Sequence, residues 1–241
     1  MPCPRTILFF TFALALGSSP VVAATPNGCT SFIRPQVVVR KIAQMPKIDA
    51  SKSLAEIRAI AATNNPNLAV STRETPVGLT AATMKIETSF QVTSKSSTIL
   101  QAICGQITKV EMTFGFDDTT IYMPREISSG SCAYNQVLEH ENKHVTVDRM
   151  IVESYAPYVQ NELNRIVQAI GVVRGQNPYD VESMLRQTLN KKVEEIGQYL
   201  TAQRSEAQDR VDTPQEYERL SKSCGGDISG IVAQERKQGR I

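Results

Sequence analysis

The sequence lacks an excess of charge of either sign. Its 241 residues include 26 lysines and arginines against 24 aspartates and glutamates, for a formal net charge of +2. A chain this close to neutral has no long-range electrostatic attraction for nucleic acid or for an anionic membrane surface. We therefore expect no nucleic acid and no anionic membrane among its partners.

Long apolar runs are absent beyond the first residues, and the run near the start is too short to cross a bilayer. It extends from Ile7 to Gly17 after the positive charge of Arg5, whereas a transmembrane helix needs about 20 apolar residues. Small residues follow at 22–24, as at a signal-peptidase site. Residues 1–24 are therefore predicted to be a signal peptide, with an uncleaved anchor as the alternative. The mature chain is expected to be exported, periplasmic or secreted, and without an integral membrane segment.

Cysteine is scarce, and the lack of a Cys-x-x-Cys pair argues against a cysteine metal site. Cys3 would leave with the signal peptide, so an even number remains: Cys29, Cys104, Cys132 and Cys224. In an oxidising compartment these are expected to form disulfides, and three pairings are open. We favour Cys104–Cys132, which would close a hairpin against the helix that follows. Cys29–Cys224 would then tie together the two ends of the mature chain.

Alternating residues predict a small antiparallel sheet. Apolar and polar side chains alternate from Met84 to Val92 and again from Val110 to Phe116, the pattern of strands with one buried face. Asp117-Asp118 predicts a turn, after which residues 119–123 return as a third strand.

Helical patterns dominate the second half of the chain. Residues 132–170 are predicted to be helical, with Pro157 either kinking the helix or starting a second one. A long amphipathic helix is predicted further on, with an apolar stripe from Val181 to Leu200 that is typical of core or of a surface for another helix. The combination predicts an α+β protein whose small antiparallel sheet packs on the helix that opens at residue 132. Residues 25–170 are predicted to form one domain, and residues 171–241 a helical extension and tail.

Histidine is the scarcest chemically active side chain, and both copies fall into one pattern. His140-Glu141-Asn142-Lys143-His144 is an H-E-x-x-H segment, and the chain has no other histidine. On a helix, His140 and His144 project from the same face about one turn apart, so both imidazoles can bind one zinc ion. Glu141 would take a proton from the zinc-activated water that attacks a peptide carbonyl, then return it to the leaving amine. The pattern predicts a Zn²⁺ site with Glu141 as the catalytic residue.

A catalytic zinc site needs a third protein ligand, and the lack of a third histidine leaves that ligand open. Val147 and Met150 occupy the positions where a glycine and a third histidine would complete the three-histidine pattern. Asp148 lies one turn beyond the motif and could ligate the metal or hydrogen-bond a ligand histidine. Glu162 would suit a ligand from a second helix if the chain reverses before it. Asp148 and Glu162 are the two candidates.

Taken together, these segments resemble a family of exported bacterial Zn-dependent proteases (domain of unknown function 922). The similarity extends from about Ser53 to Ala156 and is carried by the strand 84–92, by Tyr122-Met123-Pro124-Arg125 and by the segment 138–144. It implies a zincin-like domain in which His140 and His144 hold zinc and Glu141 is the catalytic acid and base. The family's strand tryptophans and the acidic residue soon after its motif have no counterpart here, so the resemblance does not supply a third ligand.

We predict a secreted or periplasmic zinc-dependent peptidase that acts on a peptide or protein substrate. The strand 119–123 is expected to be an edge strand with which an extended peptide pairs. Two alternatives stay open. One is a non-catalytic zinc-binding protein with a closed site of four protein ligands. The other is a helical scaffold in which the 181–200 stripe binds a protein partner.

Overall fold

The computed structural model describes residues 28–31, 33–64 and 76–241. The signal peptide predicted at residues 1–24 lies outside these residues. Within them, no helix is both long and apolar enough to cross a membrane.

The chain forms seven strands and five α-helices within the described residues. In chain order these are β1 (Gln36–Ala43), β2 (Lys47–Asp49), α1 (Leu54–Asn64), β3 (Leu79–Ala81), β4 (Lys85–Ser97), β5 (Ala102–Phe116), β6 (Thr120–Tyr122), α2 (Cys132–Ile170), β7 (Val172–Gly175), α3 (Pro178–Asp209), α4 (Pro214–Lys222), a 3-10 turn (Ser223–Gly226) and α5 (Asp227–Lys237). The α+β class is confirmed.

The larger sheet is built around β5. Strand β4 runs antiparallel to β5, β7 runs antiparallel to its first part, and β1 runs parallel to its second part. The sheet is therefore mixed, and the prediction of a purely antiparallel sheet is wrong. Strand β1 can lie parallel because the chain passes through β2, α1, β3 and β4 before it reaches β5, and a parallel pair needs such a long connection.

The alternation predicted for β5 is confirmed. Its inward side chains are each at most 5% exposed and lie in the main core: Val110, Met112, Phe114 and Phe116. Helices α2 and α3 cover this face of the sheet, so the core is one layer of sheet against one pair of helices.

The smaller sheet has the strand order β2-β6-β3. Strand β6 pairs in parallel with β2 and antiparallel with β3. Residues 119–123 are therefore central rather than an edge strand, and that prediction is wrong. Both sides of β6 are taken because the segment Lys47–Asp49, which is too short to be predicted from its alternation, also forms a strand. The edge strand beside α2 is β3 instead.

Helix α2 is continuous over 39 residues. The hydroxyl of Ser131 caps it by accepting a hydrogen bond from the amide of Tyr134 at 3.1 Å. Pro157 lies inside the helix and does not start a second one. Proline removes the hydrogen bond to the carbonyl four residues earlier, here that of Glu153, and both residues are exposed to water. Water can therefore replace the missing amide.

The apolar stripe of α3 belongs to the main core. Five of its side chains are at most 3% exposed and share one cluster with β5 and α2: Val181, Leu185, Leu189, Ile196 and Leu200. The predicted boundary at residue 170 thus does not coincide with a boundary of the core, and the stripe is not a free surface for a partner. The stripe of α3 reaches the main core because β7, just before it, pairs with β5 and directs the chain back across the same sheet.

Two disulfides join Cys29 to Cys104 and Cys132 to Cys224. Disulfide formation is as predicted, but the favoured pairing is wrong. Cys104 lies near the start of β5 beside β7, and the strand from there to Phe116 spans about 40 Å. Helix α2 opens only beyond that far end, so Cys132 is out of reach of Cys104. The turn between α4 and α5 brings Cys224 to it instead.

The Cys132–Cys224 bond is expected to contribute strongly to stability, because it closes a loop with a sequence separation of 92. In the double variant Cys132→Ser/Cys224→Ser we expect the free energy of unfolding to fall by about 4 kcal/mol. Denaturant titration measures this change. Mass spectrometry of the non-reduced digest is the control on pairing, and a peptide linked through Cys104 and Cys132 would contradict it.

Leu189→Ala tests whether α3 is part of the core. Because Leu189 is fully buried, the substitution leaves a cavity and should lower the free energy of unfolding by about 2 to 5 kcal/mol. Met184→Ala on the same helix is the matched control, since Met184 is 37% exposed. Equal stability of the two variants would mean that α3 is an appendage.

Candidate metal centre

Helix α2 places both histidines of the motif on one face, as the spacing predicts. Their side chains are buried, with 6% of His140 and 13% of His144 exposed. The two Nε2 atoms lie 3.3 Å apart. The motif therefore directs two nitrogen atoms toward one point.

The third member of the group comes from the turn that follows α3. Helices α2 and α3 pack antiparallel, so contacts advance by one turn on each helix in opposite directions. Asp148 pairs with Arg204, His144 contacts Gln208, and Asp212 follows opposite His140. Asp212 Oδ1 lies 3.2 Å from the Nε2 atom of each histidine. These three side chains form a group that could hold a metal ion.

Gln208 fixes the tautomer of His144. The side-chain amide nitrogen of Gln208 donates to Asp148 Oδ1 at 2.7 Å. The Arg204 guanidinium in turn donates to the two oxygens of Asp148 at 2.7 and 3.0 Å. The amide oxygen of Gln208 therefore faces His144 Nδ1, at 2.6 Å. Because an amide oxygen only accepts, Nδ1 must carry the proton, and in the neutral imidazole Nε2 is left with a lone pair.

Glu216 has the same effect on His140. Its Oε1 accepts from His140 Nδ1 at 3.3 Å, from Lys143 Nζ at 2.7 Å and from the Arg219 guanidinium at 2.8 Å. Arg219 above all holds the pKa of Glu216 well below its usual range, against the effect of burial. The carboxylate therefore stays an acceptor, and Nε2 of His140 also presents a lone pair to the group. Such outer partners orient metal-binding histidines.

With both imidazoles neutral, their Nε2 lone pairs and Asp212 Oδ1 therefore face one another at 3.2–3.3 Å. Asp212 Oδ1 is buried although 39% of its side chain is exposed. No hydrogen bond of good geometry reaches it from the described part of the chain. Three ligands of a tetrahedral zinc at about 2.0–2.1 Å would stand about 3.3 Å from one another. The group thus fits one face of a zinc tetrahedron.

The electrostatics of the group favour positive charge. Burial lowers the pKa of His144, but the Asp212 carboxylate, helped by Glu141, outweighs burial and raises this pKa to about 9. Burial raises the pKa of the Asp212 carboxyl, but the hydrogen bonds and charges of the two imidazoles outweigh burial and hold this pKa well below its usual range. A cation at the centre would satisfy all three side chains, and protons must leave as a metal binds.

Glu141 lies beside the group but is held by other partners. It is 3% exposed, and the Thr80 hydroxyl lies 2.8 Å from its Oε2 and 3.0 Å from its backbone carbonyl. Burial raises the pKa of Glu141, although both histidines and Thr80 pull it down. Gly78 makes this approach of β3 to α2 feasible, because a Cβ there would lie 2.6 Å from Glu141 Oε1.

The group lines a cleft of about 580 Å³. Its walls come from α2, from Pro76–Thr80 at β3, from the end of α3 and from α4 and α5. Glu141, His140, His144 and Asp212 all face this cleft, so a ligand in it can reach each of them.

Neither candidate for the third ligand joins the histidines. Glu162 lies on the same continuous helix as the motif, about 27 Å along its axis from His144, and pairs with Arg165. Asp148 is buried, but its oxygens accept from Arg204 and Gln208. It thus acts on His144 through Gln208 instead of binding the metal or the histidine directly.

Four residues of the site were not predicted from the sequence: Asp212, Glu216, Gln208 and Thr80. The capping pattern Thr213-Pro214-Gln215-Glu216 marks a helix start just after Asp212, and Thr213 does accept a hydrogen bond from the Glu216 amide. That pattern explains the local turn but carries no information on its distance from His140. Only the antiparallel register of α2 and α3 supplies it.

Comparisons with protein-family models, with curated proteins and with solved structures found no match to this chain. The function must therefore be argued from the geometry of the site.

Asp212→Ala should weaken zinc binding more than about 100-fold, because even the outer partners of ligand histidines contribute about 10- to 100-fold. Competition with a chromophoric chelator measures the affinity. Glu162→Ala is the matched control and should leave it unchanged. The opposite ranking of the two variants would remove Asp212 from the site.

Proposed function

We propose that the protein is an exported zinc-dependent peptidase. His140, His144 and Asp212 would hold the zinc ion, and Glu141 would be the general base and acid. The observation that carries this proposal is the triangle of ligand atoms at tetrahedral spacing, which faces a cleft beside a buried carboxylate. Both disulfides are consistent with export.

Each residue near the zinc-binding group has its own role in the proposed reaction. When bound, zinc supplies a Lewis acid and lowers the pKa of water to about 7. Glu141 accepts a proton from the attacking water and passes it to the leaving amine nitrogen. Thr80 keeps the carboxylate in one orientation through Oε2, and Gln208 and Glu216 keep the Nε2 atoms of the two histidines aimed at the metal.

The edge of β3 supports a peptide as the substrate. Strand β3 pairs with β6 along one side, and no other strand of the described residues pairs with it. The residues that lead into and form this strand, Pro76–Thr80, line the cleft. An extended peptide can therefore add to this edge through backbone hydrogen bonds, which would lay its carbonyl groups along the zinc ligands.

The number of ligands favours catalysis over a structural role. Structural zinc sites use four protein ligands, whereas catalytic sites use three and leave a position for water or substrate. Among the described residues the group contains three. The scaffold alternative loses its main support, because the stripe it would use is buried in the core.

Glu141→Gln separates catalysis from metal binding. The amide cannot accept the proton, so hydrolysis of a casein-derived peptide mixture should fall at least about 100-fold. Zinc content, measured by mass spectrometry, should stay near one per chain.

His140→Ala is the control that should lose both zinc and activity. Unchanged hydrolysis in Glu141→Gln would contradict the proposal. Iron in place of zinc would also contradict it, because two histidines and a carboxylate bind that metal in oxygenases.

A further inference from the structure

Two chemically different sets of side chains line the cleft. One set is the zinc-binding group with Glu141 and Thr80. The other set is aliphatic and forms the apolar wall of the cleft: Val77, Val137, Leu220, Ile228, Val232 and Ala233. A ligand that fills the cleft must therefore present a polar group and an apolar group close together.

The apolar wall is part of a packed cluster of buried residues. Leu220 is 5% exposed and Ile228 is 2% exposed, and both belong to the cluster that joins the smaller sheet to α2. The Cys132–Cys224 bond fixes the turn between α4 and α5 to the start of α2. Arg219 holds α4 to α2 by donating to Gln136 at 2.6 Å. The wall is thus a fixed surface.

Helix α5 forms the outer part of this wall. Val232 and Ala233 line the cleft from this helix, and Arg236 lines it one turn further on. A lysine or arginine of a ligand would lose water on the aliphatic wall without a compensating partner there. An aliphatic or aromatic side chain would instead remove apolar surface from water.

We propose that the apolar wall of the cleft is a specificity pocket for one large aliphatic or aromatic side chain of the peptide, next to the bond that is cleaved. This inference rests on the proposed function, because it takes the peptide carbonyl to lie at the zinc-binding group. The pocket belongs to the same cleft as that group and as the edge of β3 with which no other strand of the described residues pairs, which is why a substrate side chain is its occupant.

Peptide series test the preference. Two series of peptides share one host sequence with a single cleavable bond. One series carries Leu, Phe, Ala or Lys just before that bond and the other carries them just after it, and kcat/KM is measured for each peptide. We expect Leu or Phe to exceed Ala and Lys by about 10- to 100-fold at one of the two positions, the usual discrimination of an apolar pocket. Equal values for all four residues at both positions would overturn the inference.

Ala233→Phe tests the location of the pocket. A phenyl ring at position 233 would narrow the cleft beside the apolar wall, so the ratio of Leu to Ala peptides should fall at least about fivefold. The matched control is Ala202→Phe, the same substitution on an exposed part of α3, which should keep the wild-type ratio. The same ratio in both variants would overturn the inference.

Binding measurements separate this inference from the proposed function. Calorimetry with zinc-loaded Glu141→Gln gives the affinity of the same peptides without turnover. Tighter binding of Leu and Phe peptides, lost in Ala233→Phe, would support the pocket even if the wild-type protein hydrolysed none of them. Hydrolysis with no preference would leave the peptidase in place and overturn the pocket.

Discussion

The antiparallel packing of α2 against α3 is the constraint on which the site depends. Each turn of one helix meets a turn of the other, so Arg204, Gln208 and Asp212 follow one another opposite Asp148, His144 and His140. The apolar stripe of α3 sets this register, because it is buried in the same core as β5 and the second half of α2. A shift of one turn would bury the wrong side chains and separate the aspartate from the histidines.

The same register orders the charges around the site. Arg204 fixes Asp148, Asp148 fixes the amide of Gln208, and Gln208 fixes the tautomer of His144. On the other side, Lys143 and Arg219 keep Glu216 ionised as the partner of His140. The Nδ1 proton of each imidazole thus has a hydrogen-bond acceptor. The Nε2 lone pairs of the neutral imidazoles converge with Asp212 Oδ1, and this arrangement is stable only with a positive charge among the three atoms.

Much of the local structure was predictable. The alternation in 110–116 requires a strand with one buried face, and the helix from Cys132 to Ile170 follows from its cap and its lack of internal glycine. The predictions that were wrong concern contacts between segments far apart in the sequence. The mixed sheet, the central position of β6, the disulfide partners and the third ligand all depend on which strands and helices are neighbours. Residue spacing along the chain contains little information on that.

The sequence by itself determined that His140 and His144 share a face with Glu141 next to them, because helical geometry relates residues four apart without any help from the rest of the fold. It also determined the number of disulfide-forming cysteines. Only the tertiary structure decided that Asp212 is the third member, that Cys132 meets Cys224, and that β3 rather than β6 borders the cleft. Such contacts join residues 60 or more positions apart, and their distances are set by how helices and strands bury their apolar faces together.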